Sequence, residues 1–327
     1  MAGLTVIALA ARQMGDIFAR FNLPLISGFL FTGIIAGPFV LDFVHVENIP
    51  QFFLLDQLAL AFIAFAAGAE LELRVILGYL RSIILLIGGQ VIAVLAIGIT
   101  AFFFIKELIP FMATLPQKEV LAIALLSATI MIARSPSSAL AIIKELRARG
   151  PFTHKVLGAT VLMDAVVIVI FAAAVSVSVV LVEGADFDMA LLFFVLFEIL
   201  LDIGLGVLLG LLLSAIMRLP WPPLKSGLIL LVGLGVFWLS TELRDFHLFA
   251  LPIGLFSEPL LICMTAGFYV TNYARVATDF QHTLEAMAPG VFLLFFTLVG
   301  VELELDADLA RRGALCSLLW CSGSQAY

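Results

Sequence analysis

The sequence predicts an all-α protein that crosses a membrane many times. Of its 327 residues, 63% are hydrophobic and 13% are charged, whereas a soluble domain has about 45–50% apolar and about 25% charged residues. Apolar stretches close to the roughly 20 residues that a membrane helix needs recur along the chain. None has the short alternating pattern of a membrane β-strand. The fold class is therefore an all-α polytopic membrane protein without a soluble domain of useful size.

Charged residues, Pro and Gly bound each apolar stretch and so mark where the helices begin and end. Arg20 closes the first stretch, Pro24 opens the second, and Glu70 and Glu72 close the third. The predicted helices lie near 3–20, 24–44, 52–72, 76–105, 119–145, 153–182, 188–217, 224–241, 252–271 and 283–303.

The distribution of Lys and Arg predicts that the N-terminus lies outside. In that orientation most basic residues fall in connections on the inner side of the membrane, as the positive-inside rule requires. The strongest indication is a basic cluster after the fifth stretch, formed by Lys144, Arg147, Arg149 and Lys155. The connections 41–51 and 183–189 contain no Lys or Arg and are placed outside.

Two similar segments indicate an internal repeat. Residues 62–73, FIAFAAGAELEL, resemble residues 294–305, LFFTLVGVELEL, with Gly68 matching Gly300. The first copy is expected to end inside and the second outside, and such inverted halves are typical of secondary transporters. The alternative is that two helix ends with a glycine and acidic residues are similar by composition alone. The predicted domains are a first repeat of six helices at 1–182, a linker helix at 183–223 and an incomplete second repeat at 224–327.

The predicted helix 119–145 carries its own interruption. The helix-breaking residues are Arg134, Ser135 and Pro136. Proline removes a backbone donor and clashes with the preceding turn, so carbonyl groups before it become available to a cation. Hydroxyl oxygens that could join them belong to Thr129, Ser135 and Ser138. The alternative is a proline kink whose hydroxyls bond to their own helix.

Asp164 is the candidate binding residue for ions and protons. It lies about ten residues into the next predicted helix, which places it about 15 Å deep, near the bilayer centre. A charged aspartate there costs about 2.5–3.5 kcal/mol, so it is interpreted as functional. Because burial disfavours the charged carboxylate, protons and cations can compete for it. A static ion pair with Arg134, the only basic residue inside a neighbouring span, is the structural alternative.

In order and spacing, these segments resemble the monovalent cation/proton antiporter superfamily. RQMGDIFARFNLPLISGFLFTGIIAGP is similar to its first two helices and FAAGAELEL to its third. SATIMIARSPSSALAIIKELRARG is similar to its crossing helix, and VLMDAVVIVIF to the helix of its ion-binding aspartate. The resemblance implies a sodium/proton antiporter-like inverted-repeat fold with a discontinuous crossing helix. It also implies a homodimer, an elevator-like movement, and the ion-binding role of Asp164.

The sequence departs from the family pattern at three positions. Ser135-Pro136 stands where many members have Asp-Pro, Met163 where they have Asn, Asp or Gln, and Ala159 where one branch has Glu. Fewer carboxylates remain, so one proton per ion is expected. Glu198 and Asp202, four residues apart on one helix face, are possible accessory groups. They could line a water-filled vestibule, pair with a basic group on another helix, or form the water-exposed side of an interdomain helix.

The predicted function is exchange of Na⁺ or K⁺ for protons by a multi-pass protein of the lipid bilayer. It is predicted to be a transporter and not an enzyme, without a cofactor or metal site, and the net charge of −7 argues against a nucleic-acid partner. A sodium-coupled organic-anion symporter would need a polar cavity, and an intramembrane aspartyl protease would need a second deep aspartate beside Asp164. Only about twenty residues follow LFFTLVGVELEL, so the sequence predicts a truncated antiporter. The main alternative is thus a non-transporting fragment that dimerises with or regulates a full-length relative.

Overall fold

A computed structural model describes residues 2–21, 23–45, 51–108, 112, 115–183, 189–244 and 258–303. Across these residues the chain forms eleven α-helices and no strand, which confirms the predicted all-α class. They are α1 (Ala2–Arg20), α2 (Leu25–Ala36), α3 (Phe53–Ala69), α4 (Leu73–Ile105), α5 (Gln117–Ile130), α6 (Pro136–Leu146), α7 (Pro151–Glu183), α8 (Met189–Ile216), α9 (Pro222–Arg244), α10 (Pro259–Tyr273) and α11 (Ala277–Glu302). Helices suit a bilayer because they satisfy their backbone groups internally.

Each predicted apolar stretch contains a helix, with two differences in extent. The predicted helix 24–44 is too long, because α2 ends at Ala36, where Gly37 takes an extended conformation (φ −69°, ψ 173°) and Pro38 follows. The predicted helix 119–145 is present as two helices, α5 and α6. For the prediction at 252–271, the part at 252–257 lies outside the described residues, and α10 begins at Pro259.

Five of the described helices are long and apolar enough to cross a membrane. They correspond to Leu73–Leu108, Pro151–Val182, Leu192–Ile216, Pro222–Glu242 and Ala277–Glu302. In the most apolar window of the first, only 11% of the residues are buried inside the protein. So much exposed apolar surface requires lipid rather than water around it.

The chain divides into two compact units. One comprises Met1–Asp56 with Gly290–Tyr327, and the other comprises Gln57–Pro289. In the second unit α4 packs against α5 and α7, and α8 packs against α10. The repeat boundaries predicted after 182 and 223 concern internal similarity rather than compactness, and they stay a prediction.

In the first unit, α2 crosses α11 at a pair of glycines. A Cβ added at Gly33 would overlap the carbonyl oxygen of Thr297, and one added at Gly300 would overlap that of Leu30. The two backbones therefore approach more closely than any side chain allows, which is a common way for membrane helices to pack.

In the second unit, α3 and α10 cross in the same reciprocal way. A Cβ at Gly68 would overlap the carbonyl oxygen of Met264, and one at Gly267 would overlap that of Phe65. Phe65 and Gly68 are separated by three positions, as Thr297 and Gly300 are in the first unit. The contact at Gly68 thus reproduces the contact at Gly300, the residue that the sequence matched to it.

Candidate ion-binding site

The interrupted helix breaks between α5 and α6. The helix α5 ends at Ile130 and α6 begins at Pro136, with no helix at 131–135, which confirms the predicted discontinuity. Pro136 occupies the first helical position, where its missing N–H is not needed. Ser135 caps the new helix, since its Oγ accepts from the backbone N of Ser138 at 3.4 Å.

Backbone carbonyl groups in this interruption are available to a ligand. In the part of the chain that the structure describes, none of four successive carbonyls accepts a hydrogen bond, those of Met131, Ile132, Ala133 and Arg134. Regular helix would have directed them to amides one turn later. The sequence predicted free carbonyls around Met131 and Ile132, and this is where the backbone leaves them.

The hydroxyl groups near the interruption have local partners. Thr129 is fully buried, and its Oγ1 donates to the carbonyl oxygen of Leu125 at 2.8 Å. Ser135 Oγ lies 2.5 Å from Ser137 Oγ and accepts from Ser138 Oγ at 3.4 Å. Each hydroxyl oxygen retains acceptor capacity beyond these bonds, but its first role is to hold α5 and α6 in place.

Arg134 is positioned by α4 and not by an aspartate. When the Gln90 amide is oriented with its oxygen toward Arg134, that oxygen accepts from Nε at 2.5 Å and from Nη2 at 3.3 Å. Of the ion pairs between described residues, none joins Arg134 to Asp164. The guanidinium group also lies just beyond the carboxyl end of α5, where a positive charge offsets the helix dipole.

Asp164 lies within the long helix α7, against which both α5 and α6 pack. Its side chain is half-buried, and the preceding Met163 is buried with 1% of its surface exposed. The carboxyl group of Glu258 lies near enough to interact electrostatically with that of Asp164. Like charges repel, so a proton or a cation bound at Asp164 would reduce this repulsion.

The possible accessory residues of α8 are both buried in the structure. Glu198 is 8% exposed and Asp202 is 2% exposed. Asp202 Oδ2 accepts from the backbone N of Glu258 at 2.9 Å, at the N-terminal cap of α10. A carboxylate there is stabilised by the helix dipole. Asp202 therefore fixes the start of α10 and with it the backbone position of Glu258.

Sequence reasoning missed Glu258. The signal was available, because Glu258 is an acidic residue inside the predicted helix 252–271 and directly precedes Pro259. A charged residue before proline marks a helix start rather than a helix interior. In the second unit, Glu258 thus interacts with both Asp202 and Asp164.

Comparisons with known proteins identify the family and the fold. The sodium/hydrogen exchanger transmembrane family matches residues 4–319. Among solved structures, the chain is similar to the sodium proton antiporter MjNhaP1 from Methanocaldococcus jannaschii at pH 8, with a TM-score of 0.58 and 15% sequence identity. The alignment covers 92% of this chain and 70% of that one. No individual curated protein matches the chain. The chain belongs to the sodium/hydrogen exchanger family, and it is an integral multi-pass membrane protein and a transporter rather than an enzyme.

Proposed function

We propose that the protein exchanges a monovalent cation, Na⁺ or K⁺, for protons across a membrane, with Asp164 as the group that binds either one. The observation that carries this proposal is the row of unbonded carbonyls at 131–134, in an interruption between two helices that both pack against the helix of Asp164. Hard monovalent cations prefer oxygen ligands, and the carboxylate supplies the charge that makes their binding competitive with protonation.

The binding cycle follows from the cost of charge in a bilayer. An ionised Asp164 without a partner is expensive at membrane depth. A bound proton neutralises it on one side of the membrane, and a bound cation neutralises it on the other. Because Asp164 is neutral only when it binds a proton or a cation, movement of the loaded site across the membrane is favoured. Movement of the empty, charged site is disfavoured. This coupling produces exchange rather than uniport.

The residues around Asp164 favour one proton per cation. Met163, directly before Asp164, is apolar and buried and can neither bind nor release a proton. Glu258 acts on Asp164 through its charge, and Asp202 holds the backbone of Glu258. Asp164 is therefore assigned the transported proton, and Glu258 and Asp202 set the electrostatic field around it.

The proposal includes a homodimer that moves its transport unit relative to a fixed one. Both features come from the family resemblance, in which a dimerisation domain supports a mobile core. Their test is separate from the test of the site. Chemical cross-linking in the membrane should give a two-chain product, and a monomer without cross-links at every protein density would remove this part.

The proposal predicts the effect of Asp164→Asn on transport. The substitution preserves the size of the side chain but removes its titratable group, so cation-dependent proton movement should fall to the level of protein-free liposomes. The measurement is dissipation of a pH gradient in proteoliposomes on addition of Na⁺, K⁺ or Li⁺. The order of the three responses in the wild type identifies the transported ion.

Asp16→Asn is the matched control for this experiment. Asp16 is an exposed carboxylate on α1, outside the candidate site, and its loss should leave exchange unchanged. Equal elution volumes in size exclusion would establish that both variants are folded. Full exchange by a folded Asp164→Asn protein would contradict the proposed mechanism.

A further inference from the structure

A cavity separate from the ion-binding site opens where α4 and α7 begin. Its volume is about 480 Å³, and its polar lining is formed by Arg74, Tyr79 and His154, with Gly78 and Gly150 beside them. Pockets of about 300–1,000 Å³ are the size that small ligands occupy. Among the residues that the structure describes, the lining includes no acidic side chain, so the chemistry of the cavity suits an anion.

Positive charge around the cavity is not neutralised by neighbouring side chains. Across the described residues, neither Arg74, Arg147, Arg149 nor Lys155 forms an ion pair with a carboxylate. Lys155 instead lies over the ring of Tyr79, with Nζ 5.1 Å from the ring centroid. Lys144, by contrast, pairs with Glu70 and Glu285. Within the basic cluster predicted from the sequence, Lys144 is therefore paired with carboxylates, while Lys155 lies against Tyr79 of the cavity lining.

The glycines keep the cavity wide. A Cβ at Gly78 would meet no atom within 4 Å, and the same holds at Gly150, whose φ of 121° disfavours any other residue. Gly78 is thus not required for helix packing, although glycine in a helix interior costs about 1 kcal/mol relative to alanine. A large side chain at this position would occupy the cavity without displacing a neighbouring helix.

Apolar side chains beside the cavity identify the kind of anion. Leu77 on α4 is 59% exposed, Ile84 further along the same helix is 57% exposed, and Phe152 at the start of α7 is 79% exposed. Both helices are long enough to span a bilayer, so the cavity lies at the end of each span, at the level of lipid headgroups. An ion with acyl chains attached fits this surface better than a free ion does.

We propose that this cavity binds the phosphate group of an anionic phospholipid, with Arg74 and His154 as hydrogen-bond donors to the phosphate oxygens. Arginine binds phosphate through charge-assisted and often bidentate hydrogen bonds. The acyl chains lie along the apolar face of α4 that carries Leu77 and Ile84. The site does not depend on the proposed transport mechanism, because it shares no residue with the region of Asp164.

The test measures lipid binding by native mass spectrometry of the 327-residue chain in detergent, titrated with phosphatidylglycerol or with phosphatidylcholine of the same acyl chains. The wild type should bind phosphatidylglycerol about tenfold more tightly. The double variant Arg74→Met/His154→Met, which removes the donors, and Gly78→Phe, which fills the cavity, should each lose about tenfold in affinity for phosphatidylglycerol. Inorganic phosphate at the same concentration should not displace the lipid.

Arg218→Met is the matched control, because Arg218 is an exposed arginine that follows α8 and neither lines the cavity nor belongs to α4 or α7. It should change the affinity by less than about twofold. Equal affinity for the two lipids, or an equal loss in Arg218→Met, would overturn the proposal. Displacement by inorganic phosphate would also overturn it, since the site would then bind a free ion. If Gly78→Phe fails to fold, the charge variants decide the question by themselves.

Discussion

At the scale of single residues, Asn272 shows how one amide can join two helix ends. Its Oδ1 accepts from the backbone N of Leu73 at 2.7 Å, which caps α4. Its Nδ2 donates to the carbonyl oxygens of Leu71 and Phe268, both at 2.8 Å. These bonds satisfy an orphan amide at the start of α4 and carbonyls of the α3–α4 connection and α10. Only a side chain with both a donor and an acceptor can do this.

Replacing Asn272 should therefore destabilise the protein in a graded way. Asn272→Asp retains the acceptor for Leu73 but cannot donate, and Asn272→Ala loses all three bonds. We expect the alanine variant to lose about 1–3 kcal/mol in free energy of unfolding, and both variants to melt below the wild type in detergent. Thr283→Ala, which removes only a hydroxyl bonded within its own helix, should change stability by less than about 0.5 kcal/mol. An alanine variant as stable as the wild type would show that water replaces the amide.

Residues that act within one segment could be predicted from the sequence, and residues that act across the fold could not. The Ser135-Pro136 interruption and the depth of Asp164 depend on local spacing, and both were visible. The pairing of Asn272 with Leu73 joins positions 199 residues apart, and that of Glu258 with Asp202 joins positions 56 apart. No periodicity encodes such partners. Gln90 was missed for the same reason, because its amide contacts Arg134, which lies 44 positions away in the interruption between α5 and α6.

At the scale of helices, the two glycine crossings give the internal similarity a physical meaning. The sequence matched Gly68 to Gly300 on letters alone, and the structure places both at points of backbone contact with a second helix. Their partners are Gly267 on α10 and Gly33 on α2. Each of these backbone contacts requires a glycine on both helices. The similarity between residues 62–73 and 294–305 therefore reflects helix packing as well as composition.

Alanine at either matched glycine should therefore force the paired helices apart. We expect Gly68→Ala and Gly300→Ala each to cost about 1–3 kcal/mol in stability, the usual penalty of overpacking. Gly88→Ala and Gly235→Ala are the controls, since a Cβ at either position meets nothing within 4 Å. Both controls should be neutral or slightly stabilising because alanine favours helix. Thermal unfolding of the four variants in one detergent makes the comparison, and no difference between the two groups would contradict it.

At the scale of the whole molecule, the ion pairs agree with the predicted membrane topology. Lys144 pairs with Glu70 and Glu285, and Lys225 pairs with Asp279 at 2.5 Å. The sequence places the ends of α3, α6, α9 and α11 that carry these groups on one side of the membrane. In the second unit these helix ends are joined by the ion pairs. The contacts are therefore consistent with the predicted alternation of the membrane spans. The contacts do not depend on which side is the inner one.

The direction of the chain across the membrane is the last prediction, and two single cysteines can determine it. The positive-inside rule places Glu72 inside and His45 outside. Glu72 is exposed before α4 and His45 is exposed before α3, and replacing them changes no Lys or Arg. In a chain whose native cysteines are replaced by alanine, a membrane-impermeant maleimide should label His45→Cys in intact cells. It should label Glu72→Cys only after permeabilisation.

Phe65→Cys is the control for this labelling, because Phe65 is fully buried and its cysteine should stay unlabelled in both conditions. The reverse pattern, with Glu72→Cys labelled in intact cells, would place the N-terminus inside. The basic residues Arg147, Arg149 and Lys155 would then lie outside, contrary to the positive-inside rule. The proposed lipid cavity would bind lipid from the outer leaflet. Labelling therefore determines which leaflet supplies the anionic lipid as well as the orientation of the exchanger.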